Sequence, residues 1–168
     1  MVSYVYMYLE IIIGACIIAI ALLLITIRTN SAVVFFSVCA GSVLATQLGS
    51  DASLLSSTVV KDGDLNKSIA YVALIVLPAL LSAIFLRSSI SSSKSVFNVV
   101  PSIAVGALLA LLVIPQLPPG INEQLLDSSA WAKLQDYQPI ILVGGMISSV
   151  FMLYVTHSHG SKHKKHKR

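Results

Sequence analysis

Five runs of mostly apolar residues divide this chain, and short polar connectors separate them. The first run, residues 4–27, has about 24 residues, or roughly 36 Å as a helix, which is longer than the thickness of a bilayer's hydrocarbon core. The other runs, 32–48, 68–86, 99–117 and 139–156, have about 17 to 19 residues each. A single segment satisfies all of its backbone hydrogen bonds in lipid only as a helix. We therefore predict an all-α integral membrane bundle of five transmembrane helices.

The composition favours the same class of protein. Hydrophobic residues make up 56% of the 168 positions and charged residues 11%, with a mean hydropathy of +0.87. A soluble domain carries about 25% charged residues, so this chain has too little polar surface for a water-soluble globule. We expect a single transmembrane domain, residues 1–156, followed by a disordered basic cytoplasmic tail, residues 157–168.

Residues 121–138 differ from the five runs because charged residues are interspersed among apolar ones at helical spacing. This pattern predicts a short interfacial segment of one or two amphipathic helices before the last span. Trp131 and Tyr137 are expected at the level of the lipid headgroups. The polar connector 49–67 is expected to contain a separate short helix capped by Asp51.

The distribution of lysine and arginine predicts the orientation. With five spans, one side receives Arg28, Arg87, Lys94 and five residues of the tail, whereas the other receives Lys61, Lys67 and Lys133. Cytoplasmic loops are the richer in these residues. We therefore predict a multi-pass protein of the inner (cytoplasmic) membrane, with its N-terminus outside and its C-terminus in the cytoplasm. A second run that did not cross would put the basic tail on the outside, against this rule.

Small residues recur at four-residue spacing in three of the runs. They are Ser37, Gly41 and Ala45 in the second run, Ser102, Gly106 and Ala110 in the fourth, and Gly144 and Ser148 in the fifth. Such residues let helix backbones approach closely in lipid, where the hydrophobic effect does not drive helices together. The stripes predict packing faces, either between helices of one chain or between the copies of a homo-oligomer.

Glu10 is the one carboxylate within an apolar run, and Gln47 lies near the outer end of the second run. Ionisable groups at depth are costly and usually functional. Glu10 is therefore a candidate proton or cation ligand, with Gln47 as a hydrogen-bonding group at a comparable level. The alternative is that Glu10 lies at the outer interface beside Tyr4, Tyr6 and Tyr8, with its carboxylate in water.

The C-terminal tail carries a dense basic cluster. Its members are Lys162, Lys164, Lys165, Lys167 and Arg168. A juxtamembrane cluster of this kind is attracted to anionic lipid headgroups, which we expect as its partner in preference to nucleic acid. The tail also holds four histidines, but the lysines between them oppose a bound cation, so no metal site is predicted.

The motifs of soluble enzymes are absent from the sequence, which has no GxSxG, P-loop, HExxH or CxxC pattern. We therefore predict no enzymatic activity, no catalytic residue and no cofactor. Two functions remain. The protein is either a scaffold or accessory that binds a membrane-protein partner, or a small oligomeric transporter or channel with Glu10 and Gln47 near its outer mouth.

The order of features in residues 4–117 matches a known layout. An acidic residue early in the first span, Glu10, is followed by a positive residue at its inner end, Arg28, a small-residue second span and a glycine-bearing fourth span. In this layout the chain resembles the colicin V production family of small bacterial membrane proteins. That family tends to have aspartate near the chain start and Arg-Gly after the first span, where this chain has Glu10 and Arg28-Thr29. The resemblance implies a role in secretion, envelope homeostasis or solute export, and no catalytic residues.

Overall fold

The computed structural model of the protein describes residues 2–56, 63–87, 98–117 and 122–158. Within these ranges the chain is helical and contains no strand, as predicted for an all-α protein. The helices are α1 (Val2–Thr26), α2 (Ser31–Ser56), α3 (Gly63–Phe85), α4 (Val99–Val113), α5 (Asn122–Leu126), α6 (Ser129–Asp136) and α7 (Gln138–Ser158), with a 3₁₀ turn (Ile114–Gln116) after α4.

Four helices in the described part of the chain are long and apolar enough to cross a membrane. They contain the stretches Ser31–Leu48, Ser68–Phe85, Val99–Gln116 and Gln138–Thr156. Helix α1 adds the shorter apolar stretch Glu10–Thr26. These lengths and compositions are those of a multi-pass membrane protein.

Several helices do not end where the apolar runs end. Helix α2 has 26 residues and continues through Asp51, so Asp51 does not cap a separate helix as predicted. Helix α3 begins at Gly63 rather than at residue 68. Hydropathy marks where lipid-compatible side chains stop, whereas helical hydrogen bonding continues into the polar layer. Helix α4 instead stops early, because Pro115 has no N–H to donate to the carbonyl of Leu111.

The segment before the last span folds into two short helices, α5 and α6. The hydroxyl of Ser128 accepts a hydrogen bond from the backbone N–H of Trp131 at 3.2 Å and so caps α6. Trp131 is buried inside the protein, whereas Tyr137 is 56% exposed. Of the two aromatic residues predicted at the headgroups, only Tyr137 therefore has an outward-facing side chain.

Helices α2 and α4 form the centre of the bundle. Helix α3 packs along α2, helix α1 packs along α4, and α7 contacts both central helices. The core between them contains Phe35, Val38, Ile75 and Val105, all of which are completely buried. Large side chains thus fill the axis of the bundle.

Three glycines lie where helices approach most closely. A Cβ atom on Gly41 would stand 2.8 Å from the carbonyl oxygen of Leu74 in α3, and one on Gly106 would stand 2.7 Å from that of Ile17 in α1. A Cβ on Gly145 would overlap the ring of Phe35. These positions accept no larger residue without movement of a neighbouring helix.

Within the chain, the glycine of α7 that meets another helix is Gly145, the residue next to the predicted Gly144. A Cβ on Gly144 would meet nothing within 4 Å. Gly144–Ser148 and Gly145–Ser149 have the same four-residue spacing, so spacing alone does not tell which pair faces the bundle. Successive residues differ by about 100° around a helix, and the buried Ser149 belongs to the inward pair.

Candidate functional site

Buried polar side chains converge where the α1–α2 turn meets the end of α3 and the start of α4. Thr29, Ser31, Asn98 and Ser102 are each at most 1% exposed. Burying a polar group is costly unless it is hydrogen-bonded, and the cost is greatest in a membrane protein, where water is scarce. This inner polar network (Thr29, Ser31, Asn98 and Ser102) is therefore the most tightly constrained set of polar groups described.

Asn98 is the centre of the inner polar network. Its Nδ2 donates to the carbonyl oxygen of Thr29 at 2.9 Å, and its Oδ1 accepts from the backbone N–H of Ser31 at 3.1 Å. An asparagine amide presents a donor and an acceptor side by side, which matches these two backbone groups of the turn. One side chain thus fastens the α1–α2 turn to the start of α4.

Hydroxyl groups add a second link to α4 and a first link to α3. The Oγ atoms of Ser31 and Ser102 are 2.7 Å apart, and Ser102 donates to the carbonyl oxygen of Asn98 at 2.6 Å. Because a hydroxyl has one proton, Ser31 is the donor to Ser102. The Oγ1 of Thr29 donates to the carbonyl oxygen of Ala83 in the last turn of α3, at 3.2 Å. The network therefore joins the α1–α2 turn to both α3 and α4.

The turn itself is sharp. Arg28 has a φ of 56°, in the left-handed region that non-glycine residues seldom adopt. The Oδ1 of Asn30 accepts from the N–H of Ala32 at 3.2 Å, which satisfies one of the unpaired donors at the start of α2. The bonds from Asn98 hold the residues after Arg28 in place, so the surrounding structure maintains this strained conformation.

The predicted small-residue stripes lie at contacts within the chain in α2 and partly in α4. Ser37 contacts the hydroxyl of Ser82 in α3, Gly41 lies against the α3 backbone, and Ala45 is completely buried. In α4, Ser102 belongs to the inner polar network and Gly106 lies against α1.

Two stripe residues have different surroundings. Ala110 of α4 is half-buried and lines a groove instead of a helix contact. Ser148 of α7 is also half-buried, and its hydroxyl bonds to the carbonyl oxygen of Gly145 in its own helix.

Glu10 lies towards the opposite end of α1 from the polar network. It is half-buried, and its carboxylate accepts a hydrogen bond from the hydroxyl of Ser129, the first residue of α6. Gln47 is exposed on α2. No hydrogen bond described by the structure joins Glu10 to Gln47. The bond to Ser129 connects α1 to α6.

A cavity of about 290 Å³ lies between α2, α3 and the end of α4. Its polar lining includes Ser42, Thr46, Tyr71 and Gln116. Ser42 and Thr46 donate to carbonyl oxygens of their own helix, at 2.7 and 2.8 Å. Those two hydroxyls are thus already satisfied as donors.

A larger groove of about 650 Å³ separates α1 from α3, and α4 forms its floor. Its lining is almost entirely aliphatic, with Ile20 and Leu24 on the α1 side and Ala79 and Leu80 on the α3 side. At the end beside α5 it is bounded by Leu117 and by Leu125. The groove therefore offers shape and apolar contact in place of hydrogen bonds.

Asn98 was not anticipated from the sequence, where it stands at the end of a serine-rich connector just before an apolar run. The sequence feature that could have indicated a role for Asn98 is the short connector 28–31. Its polar residues follow one long apolar helix and precede another, so they need partners from a neighbouring helix end. A lone asparagine immediately before the fourth run is such a partner.

The basic cluster of the tail and its predicted headgroup contacts lie outside the described residues, which end at residue 158. The tail histidines, considered as metal ligands, have no described side chains either. In the ranges that the structure does describe, no group of three or more His, Cys, Asp or Glu residues could hold a metal ion.

Comparisons of the chain with protein-family models, with curated proteins and with solved structures give no significant match.

Proposed function

We propose that the protein is a non-enzymatic scaffold with five transmembrane spans that holds a partner membrane protein against one face of α7. The observation that carries this proposal is the position of Gly144. Gly41, Gly106 and Gly145 lie against other helices of the same chain, but a Cβ on Gly144 would meet nothing within 4 Å. This small residue is not used for packing within the bundle.

The surroundings of Gly144 favour a partner helix as its contact. Ile140 and Ile147, four residues before it and three after it, are 64% and 65% exposed. These three residues, which we call the Gly144 face, form a notch between two large apolar side chains on one side of α7. A notch of this kind lets a second helix approach closely and gain dispersion contacts, whereas fluid lipid gains nothing from it.

The topology of the scaffold follows from charge. Helix α1 is the first of five spans, so the N-terminus lies outside. The side of the membrane that carries eight of the lysines and arginines then faces the cytoplasm. Helices α5 and α6 then lie at the outer surface, and the basic tail meets the anionic headgroups of the inner leaflet. The resemblance to the colicin V production family adds a role in secretion or envelope maintenance at a bacterial inner membrane.

A transporter is the less favoured alternative. The bundle axis is filled by the apolar side chains of Phe35, Val38, Ile75 and Val105. The donors of the inner polar network already form hydrogen bonds between helices. A solute would therefore need either a path between subunits or a rearrangement of the core. Neither is needed for a scaffold.

The test is in-membrane crosslinking of an epitope-tagged protein, followed by mass spectrometry of what it retains in near-stoichiometric amounts. We expect a specific second protein with the wild type and its loss with Gly144→Leu. Met146→Leu is the matched control, because Met146 is also exposed but lies about 160° around the helix from Gly144. A partner retained equally by both variants would contradict the Gly144 face, and self-crosslinks alone would indicate a homo-oligomer.

A further inference from the structure

We infer that the groove between α1 and α3 binds an anionic phospholipid, with an acyl chain in the groove and the phosphate at Arg28 and Arg87. This site rests on the chain crossing a membrane and is independent of the α7 partner. The groove has a volume of about 650 Å³, and its walls are aliphatic.

The length of the groove fits one acyl chain. Its α1 wall runs over residues 12–24, a rise of about 18 Å along a helix. Half of a hydrocarbon core about 30 Å thick, which is the depth filled by the acyl chains of one leaflet, is about 15 Å. The groove is therefore about as long as one acyl chain.

The two ends of the groove differ in chemistry. At the end beside α5, Leu117 and Leu125 bound it with apolar side chains. At the other end the last lining residues are Leu24 and Ala83, and Ala83 accepts the hydrogen bond from Thr29 in the α1–α2 turn. This end therefore coincides with the termini of α1 and α3.

Two cations stand just beyond that open end. Arg28 immediately precedes Thr29, and Arg87 lies about one helical turn beyond Ala83. Both side chains are exposed. A guanidinium has five N–H donors, so each arginine can contact a phosphate while keeping its interactions within the protein. The apolar groove with cations at its mouth matches an acyl chain with an anionic headgroup.

A second protein helix fits these observations less well. A helix crossing the membrane needs about 30 Å of contact surface, whereas the groove is about 18 Å long on α1 and is closed by α5. An apolar partner helix would also gain nothing from the two arginines at one end of the groove. Basic pockets between helices on the cytoplasmic side are typical sites for anionic headgroups, and the positive-inside count places Arg28 and Arg87 on that side.

The experiment is native mass spectrometry of the purified full chain, titrated with phosphatidylglycerol or with phosphatidylcholine of the same acyl chains. We expect the wild type to retain phosphatidylglycerol preferentially. Arg28→Gln and Arg87→Gln should each lower that preference about fivefold, the effect expected for one surface charge. Arg87→Lys should keep the preference. Lys133→Gln, which removes an exposed cation from α6, is the control for net charge and should also keep it.

A second variant tests the groove separately from its cations. Ala19 is exposed and lines the groove, so Ala19→Phe should fill the space and lower retention of both lipids while leaving Arg28 and Arg87 in place. Wild-type preference in the Arg28→Gln/Arg87→Gln double variant would overturn the headgroup site. Unchanged lipid retention in Ala19→Phe would overturn the acyl-chain site. A wild type that is a dimer and becomes a monomer in Ala19→Phe would also overturn it, because a second copy of the chain would then occupy the groove.

Discussion

Helix α3 faces α2 on one side and α1 across a groove on another, and the two sides are built in opposite ways. Against α2 it packs so closely that a Cβ on Gly41 would stand 2.8 Å from its backbone. From α1 it is separated by a groove of about 650 Å³. The two contacts differ mainly in side-chain size. Ser37, Gly41 and Ala45 face α3 from α2, whereas Ile20 and Leu24 border the groove on α1.

A glycine alone does not produce a close contact. Gly14 lies in α1 about as centrally as Gly41 lies in α2, yet a Cβ on Gly14 would meet nothing within 4 Å. In lipid, where hydrophobic burial does not drive association, a contact needs small residues stacked along one face and a partner that fits them. The α2–α3 seam (Ser37, Gly41 and Ala45 against α3) has such a stack, whereas on the α1 side of the groove the small Cys16 and Ala19 stand among large aliphatic residues.

The largest effect is expected where the α2–α3 seam is forced open. Gly41→Leu places a side chain against the carbonyl oxygens of Leu74 and Ile75, so α3 must move, at a cost of about 3 kcal/mol of unfolding free energy. Gly144→Leu is the matched control and should change that free energy little. Denaturation of both variants in detergent measures the difference. Equal stability of the two variants would contradict the claim that the α2–α3 seam is the tightest helix contact.

A smaller loss is expected when the inner polar network is broken. Asn98→Leu keeps the branched shape and the number of side-chain heavy atoms but leaves the carbonyl of Thr29 and the N–H of Ser31 without their partner, at about 1–3 kcal/mol in total. Val100→Leu, on the exposed side of the same helix turn, serves as the control. Because Asn98 fastens the α1–α2 turn to the start of α4, proteolysis at this turn should also accelerate in Asn98→Leu alone. A variant as stable and as resistant as the control would show that the network is not needed.

Two buried serines are expected to respond with opposite signs. Ser102→Ala removes hydrogen bonds to Ser31 and Asn98 and should cost about 1 kcal/mol. The hydroxyl of Ser149 is buried in α7 with no hydrogen-bond partner, so Ser149→Ala should be neutral or stabilising by a similar amount. Thermal unfolding of the pair tests this. Destabilisation by both substitutions would indicate a partner for Ser149.

The smallest effect is expected at Glu10. Glu10→Gln can still accept the hydrogen bond from Ser129, so we expect less than about 0.5 kcal/mol of change in stability. Flux of protons or monovalent cations into liposomes should be the same for the wild type and Glu10→Gln. Flux that depends on Glu10 would instead favour the transporter, and Ser129→Ala would then show whether α6 takes part.

The sequence predicts the parts of the fold that depend on one helix at a time. The apolar runs predict the helices, and the four-residue spacing points to Gly41 and Gly106, both of which lie against a neighbouring backbone. The sequence does not predict which residues of a helix face its neighbours, because this depends on how the helices rotate against each other. Spacing cannot distinguish Gly144 from Gly145, and only the packed bundle puts Gly145 against Phe35.

The inner polar network is beyond local patterns for a related reason. Asn98 and Ser31 are 67 positions apart, and their hydrogen bond exists only because α4 starts beside the α1–α2 turn. The sequence also places the end of α2 too early, since the polar residues after Leu48 mark the end of the apolar layer and not of the helix. The network depends on a tertiary contact that a pattern along one segment does not contain, whereas the end of α2 depends on hydrogen bonding along the helix rather than on hydropathy.

The most direct test of the contrast between the seam and the groove is photolabelling in membranes with a phosphatidylglycerol that carries a diazirine in its acyl chain, followed by peptide mapping. We expect labelling of the groove walls, at Ile20 and Leu80, to exceed that obtained with the corresponding phosphatidylcholine. Ile147 on α7 should label equally with both lipids, and Val38 near the seam should stay unlabelled. Labelling of Val38 would contradict a closed seam between α2 and α3. Equal labelling of the groove by both lipids would contradict a groove that prefers the anionic headgroup.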